Sequence, residues 1–274
     1  MGETYPFLYI EIKQQSSLQN SAMSFVFRLV GGTYIMKAQL YLHDSLRRKF
    51  QKPIELYKET YTKKINPIFE NMNEEANTIA EERYQELGTS FNPDYHDPAD
   101  FAEVAWEAGL EHYEGMSLMK YNTKLMWIST LYQFWEQQVR KFIYEEVTMT
   151  HQFIDEKGSE VKFKDFCTNG IKDIKEEFLE FSQDLEKLSC WDKINELRIL
   201  TNVIKHGDGR SATQLKGLRP DFFKADFSDY DLLDMYKTTL NENVLNIEDY
   251  EFQNYCDAIV EFWNELPERM YSKD

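Results

Sequence analysis

Apolar residues recur at helical spacing over most of this chain, and that periodicity leaves a mainly α-helical fold as the reading. In the last run, Asp249 to about Glu265, the residues Phe252, Tyr255, Ala258, Ile259, Phe262 and Trp263 share one face, and Pro267 follows. In Trp191 to His206 the same pattern ends at Gly207, the residue type favoured just past a helix.

Further helices are expected over Ser21 to about Phe50, with Gly31-Gly32 as a weak point, and from Pro53 through Ile68, with Pro53 in the first turn. Pro67 should kink or end the latter. Asn73 to Leu87 reads as helix with Gly88 as its cap, and Thr89 to Pro98 as loop. Ala99 to Thr148 reads as two helices divided near Gly115 to Asn122, and Phe163 to Lys187 as one amphipathic helix. Short strands are expected at Tyr5 to Lys13 and within 236–247, where TTLNENVLNI suits a hairpin. The result is one bundle, or two apposed bundles divided around residues 88–99.

With 42% hydrophobic and 15% aromatic residues, the chain is too rich in core-formers for a disordered protein. Cys167, Cys190 and Cys256 are odd in number, widely spaced and outside any CxxC pattern. They suggest neither a disulfide framework nor a zinc site, and read as small core residues of a cytoplasmic protein. The opening MGETYPFLYIEIK lacks the pattern of a signal peptide, and Met23 to Leu42 is too polar to span a bilayer, so no membrane association is expected.

The formal charge of −17 speaks against extended nucleic-acid binding, yet it is unevenly spread. Arg198 to Lys224 holds six bases (Arg198, Lys205, Arg210, Lys216, Arg219, Lys224) and two acids, net +4. Ala225 to Asp274 holds thirteen acids and three bases, net −10, leaving −11 for residues 1–197. The basic island suits a phosphate-bearing ligand, or equally an acidic face of the same chain.

Within that island, Arg198, Asn202 and His206 stand at i, i+4 and i+8 on one edge of the Trp191–His206 helix, beside Lys205. An Arg for phosphate, an amide for positioning and a His for proton transfer form a coherent set for RNA cleavage without a metal. The plain alternative is the solvated stripe of any amphipathic helix, with a cation favoured at its C-terminus. Eight residues of rise, roughly 12 Å, is long for two groups working on one phosphate. Two such stripes facing across a two-fold axis would relieve it.

The segment NELRILTNVIKHGDGRSA, Asn195 to Ala212, resembles the signature helix of HEPN-domain (higher eukaryotes and prokaryotes nucleotide-binding) proteins. In those all-α domains a helix carries Arg-x4–6-His, often with Asn after the Arg and Gly after the His. Asn202, His206 and Gly207 match; Thr201 stands where the Arg would be, and Arg198 gives Arg-x7-His instead. The LYQFWEQQVRKF helix is similar to the preceding core helix, and the resemblance covers about 120–270.

The resemblance implies a metal-independent endoribonuclease, without cofactor, in a toxin–antitoxin or anti-phage defence setting. Arg198, Asn202 and His206 would be catalytic, Lys205 and Arg210 substrate-binding, and the partners RNA, tRNA among the candidates, and a second copy in a homodimer. It also implies a HEPN-like bundle over 99–274, separate from or packed with an N-terminal helical region, 1–90, of no readable motif, which could supply a protein-binding surface. A non-catalytic interaction or dimerisation module is the competing reading.

Three smaller expectations remain. Glu196 falls on the apolar face of its helix and needs a partner, Arg140 being one option for a buried ion pair. The GDGRS turn, Gly207 to Ser211, could cradle an anion with its amides but lacks P-loop spacing. His43, His96, His112 and His151 have no partners at metal-ligand spacing, and the acids around His96 in PDYHDP read as surface.

Overall fold

The computed structural model describes residues 9–12, 25–28, 37–155, 158–168, 170–224 and 230–273. It is mainly α-helical, with two small antiparallel sheets. Strand β1 (Tyr9–Ile12) pairs with β2 (Phe25–Arg28), and β3 (Gln39–Tyr41) with β4 (Arg269–Tyr271). The helix expected over Ser21 to Phe50 is therefore replaced at Phe25–Arg28 by a strand, and its Gly31-Gly32 point lies outside the described residues. Helix α1 (Asp44–Thr60) begins only after β3.

Pro53 lies inside α1, not in the first turn of a new helix. Lys49 and Pro53 are both exposed, so the carbonyl that loses its donor at Pro53 is left to solvent. The expected break does come at Pro67: a wide turn over Tyr61–Ile65 and a tight one over Asn66–Phe69 separate α1 from α2 (Met72–Gly88). Helix α3 (Pro98–Thr148) then runs unbroken for 51 residues, where two helices were expected. Gly115 costs an exposed helix only about 1 kcal/mol, too little to end it among good helix formers.

The 163–187 run is broken instead. Helix α4 (Phe163–Phe166) and α5 (Ile171–Glu180) are separated around Gly170, and Ser182 at φ 62° ends the second. Next come α6 (Trp191–His206), α7 (Arg210–Leu218), α8 (Leu232–Tyr236) and α9 (Asp249–Glu265). Residues 237–247 form no strand. Their backbone groups find partners on other elements: the Val244 and Leu245 amides donate to the Tyr121 hydroxyl at 3.3 and 3.1 Å, and the Asn246 amide to the Phe222 carbonyl at 2.7 Å.

Two compact units interleave along the sequence, each assembled from separated stretches. The first comprises Met1–Ile54, Leu131–Asn195 and Cys256–Asp274; the second, Glu55–Thr130 and Glu196–Tyr255. The loop around 88–99, where the pattern suggested a boundary, lies inside the second unit.

Aromatic packing holds the first unit. Phe50 stacks on Trp263 at 4.3 Å, and Phe262 meets Trp135 edge-on at 5.2 Å, all of them buried. Such pairs add about 0.5–1.5 kcal/mol each beyond their buried area. Ser272 closes the β3–β4 pair by donating its amide to the Ala38 carbonyl at 2.9 Å and accepting the Ala38 amide at 3.1 Å.

The second unit has its own aromatic knot, with Tyr57 against Trp127 at 4.2 Å and Tyr61 against Phe252 at 4.6 Å. There α2 and α3 approach so closely at Gly109 that a Cβ would lie 2.7 Å from the Ala76 carbonyl oxygen. No helix among the described residues is long and apolar enough to cross a membrane.

Candidate functional site on α6

Helix α6 is anchored at both ends. At its start, the Glu265 carboxylate accepts the Ser189 amide at 2.8 Å, the Ser189 hydroxyl at 2.7 Å and the Cys190 amide at 3.1 Å. Burial works to raise the Glu265 pKa, but these donors prevail and hold it below the usual range. The charge also complements the positive end of the helix. Its far end closes on Gly207 at φ 65°, and a Cβ there would lie 3.1 Å from the Lys237 carbonyl oxygen. The Thr239 hydroxyl reaches the terminal carbonyls of Ile204, at 3.1 Å, and Val203, at 3.4 Å.

Between these anchors, Leu197, Ile199, Leu200, Val203 and Ile204 are buried, so the opposite edge is set by exclusion. On it Arg198 and Asn202 are half-buried, whereas Lys205 and His206 are exposed. Arg210, also exposed, opens α7 just past the Gly207–Gly209 turn. The fold thus gathers Lys205, His206 and Arg210 at one helix end. It leaves Arg198 two turns back along an unbroken helix, about 12 Å of rise from His206.

Thr201, which aligns with the Arg of the HEPN pattern that this segment resembles, is fully buried, and its hydroxyl has no hydrogen-bond partner among the described residues. In the GDGRS turn, the Gly207 amide donates to Val203 at 2.8 Å and the Asp208 amide to Lys237 at 3.4 Å, which removes two donors from any anion cradle.

Part of the basic island is engaged within the chain. Lys216 contacts Asp231 and Asp234, each at 2.7 Å; burial opposes its charge, but the two carboxylates outweigh that and raise its pKa. Arg219 donates to Glu196 at 3.0 Å, Asp221 at 2.7 Å and Glu251 at 2.6 Å, and its guanidinium lies 3.8 Å over the Phe222 ring. Asp231, Asp234 and Glu251 all belong to the acidic C-terminal segment, so for these two cations the island neutralises acids of the same chain.

Glu196 accordingly has a partner in Arg219, while Arg140 contacts Glu136 one turn earlier on α3 at 3.2 Å. Glu196 also accepts the Tyr255 hydroxyl at 2.6 Å; burial first, then this carboxylate, raises the tyrosine pKa. The Arg219 cluster escaped sequence reasoning because its members come from residues 196, 219, 221, 251 and 255, with no local pattern.

Among the described residues no group of three His, Cys, Asp or Glu side chains is placed to hold a metal ion. His96 accepts the Asn92 amide at 3.0 Å and closes its own loop. Cys190 and Cys256 are buried, Cys167 half-buried, and none is in a disulfide. Searches against family models, curated proteins and solved structures found no match for this chain.

Proposed function

We propose that this chain is a HEPN-like, metal-independent endoribonuclease that meets RNA at the C-terminal end of α6. The observation that supports it is the grouping of exposed Lys205, His206 and Arg210 around one glycine turn, in a chain whose formal charge is −17. Contact is then local, and the acidic remainder limits indiscriminate binding. On this reading His206 takes the 2′-hydroxyl proton, the 2′-oxygen attacks phosphorus, and the bond to the 5′-oxygen breaks. A 2′,3′-cyclic phosphate and a 5′-hydroxyl result, the leaving 5′-oxygen taking the proton that His206 carries. Arg198 stabilises the charge on phosphorus and Asn202 positions the strand.

Because Arg198 and His206 are about 12 Å apart along one helix, the two act together across a homodimer, each from a different copy. The setting is cytoplasmic, in anti-phage defence or a toxin–antitoxin pair, with tRNA as one substrate.

Incubation with tRNA or total RNA in EDTA, beside His206→Ala, is the direct test. Cleavage lost in the variant supports the reading; no cleavage, or cleavage unaffected by the substitution, overturns it. Mixing inactive Arg198→Ala and His206→Ala chains should restore part of the activity if the site is shared. Burial of Thr201 where the family carries its Arg favours a second reading, a non-catalytic interaction module. RNA binding or dimerisation through α6 without cleavage marks that case.

A further inference from the structure

Within the second unit a further group of cations lines a cleft that shares no residue with the α6 edge. This cleft of about 430 Å³ is lined by Lys120, Lys124 and Lys224, and no carboxylate is among its described lining residues. That volume falls within the range of small-molecule sites. In a chain with 48 acids against 31 bases, three lysines around one cleft run against the composition.

Lys120 and Lys124 are one turn apart on α3 and share a face. Lys124 is held in place: its ammonium donates to the Ile247 carbonyl at 2.7 Å and contacts Asp249 at 2.6 Å, and its side chain is 16% exposed. Asn66 holds the other oxygen of Asp249 at 3.0 Å, so this carboxylate, 44% exposed, is fixed beside Lys124.

The walls are tied together before any ligand arrives. Asn243 donates to the Ser117 hydroxyl at 3.2 Å, and the Tyr121 hydroxyl donates to the Thr239 carbonyl at 2.8 Å while accepting the Leu245 amide. A cleft fixed in this way binds without ordering its own loop, which favours affinity for a small ligand. Clustered ammonium groups select an anion of several charges, and Leu232 and Leu245 offer an uncharged surface beside them.

We propose that this cleft binds a small phosphorylated molecule, with its phosphates on Lys120, Lys124 and Lys224 and its uncharged part against Leu232 and Leu245. This site is independent of the endoribonuclease reading, because it shares no residue with the α6 edge and is tested by binding alone.

Calorimetric titration of the full chain with inorganic pyrophosphate and, separately, with ADP tests it. Both should bind. Tighter binding of ADP marks an organic phosphate as the ligand, and equal binding marks the free anion. Lys120→Gln, which removes no described ion pair, should weaken binding about tenfold while circular dichroism and the melting temperature stay unchanged. Lys224→Gln should also weaken it. No binding of either probe at millimolar concentration, or binding indifferent to Lys120→Gln, overturns the proposal. So does a cleft that answers only to RNA.

Discussion

Glu196 and Arg219 meet at 3.0 Å, so that an acid on the buried side of α6 is answered by the residue that ends α7. The same guanidinium serves Glu251, whose side chain is 5% exposed. Replacing Arg219 with Met takes this cation away from two poorly hydrated carboxylates. Urea unfolding should show a loss of about 3 kcal/mol or more. A change below about 1 kcal/mol would mean that water, not Arg219, already solvates these acids.

Glu177 in α5 is 4% exposed, and its Oε2 has no hydrogen-bond partner among the described residues. Burial first, then the neighbouring charges of Glu180, Asp173 and Glu176, raises its pKa well above the ordinary 4.5. The folded chain therefore keeps this proton after the unfolded chain has released it. Its contribution to stability is fully present below pH 4.5 and is lost as pH rises through the folded-state value. Glu177→Gln should match the wild type in acid and become progressively more stable than it toward neutral pH. A difference independent of pH in urea midpoints would contradict this.

Two glycines of α3 should respond in opposite directions to alanine. At Gly109 the new Cβ would meet the Ala76 carbonyl oxygen at 2.7 Å and push α2 away, a cost of about 1–3 kcal/mol. At Gly115 nothing lies within 4 Å, and better helix propensity should add about 0.5–1 kcal/mol. Thermal melts of the two variants should fall on either side of the wild type.

Thr201 carries a hydroxyl that burial strips of water without replacing it. Thr201→Val should stabilise the chain by about 1 kcal/mol, because a buried unsatisfied group costs more than a missing one. Thr201→Arg, which would complete the Arg-Asn pattern that the proposed HEPN-like reading calls for, places a guanidinium at a fully buried position and should destabilise the fold in urea titration. An unchanged midpoint for Thr201→Arg would show that this face of α6 has room for a charge.

The parts legible in the sequence were those decided within a few residues. Helices α6 and α9 begin and end where their apolar faces, Gly207 and Pro267 place them. The exposed edge of Lys205 and His206 follows from the same periodicity. Misreadings arose where distant residues decide: 237–247 looks like a hairpin until Tyr121, more than a hundred residues earlier, takes its amides. Glu196 announced that it needed a cation, but nothing local pointed to Arg219. The lysine cleft left one trace, Lys120 and Lys124 at helical spacing, whereas Lys224 joins them only in the fold.

The pairing of β3 with β4 bears on when this chain can fold. Ala38 and Ser272 are 234 positions apart, yet each hydrogen-bonds the other. During synthesis, at roughly 5–20 residues per second, the early partner must wait tens of seconds for the late one to leave the ribosome. Through that interval the aromatic side chains that later gather around Phe262 and Trp263 lack their partners. Such long-range closure slows folding and leaves nascent chains open to association with one another and with chaperones.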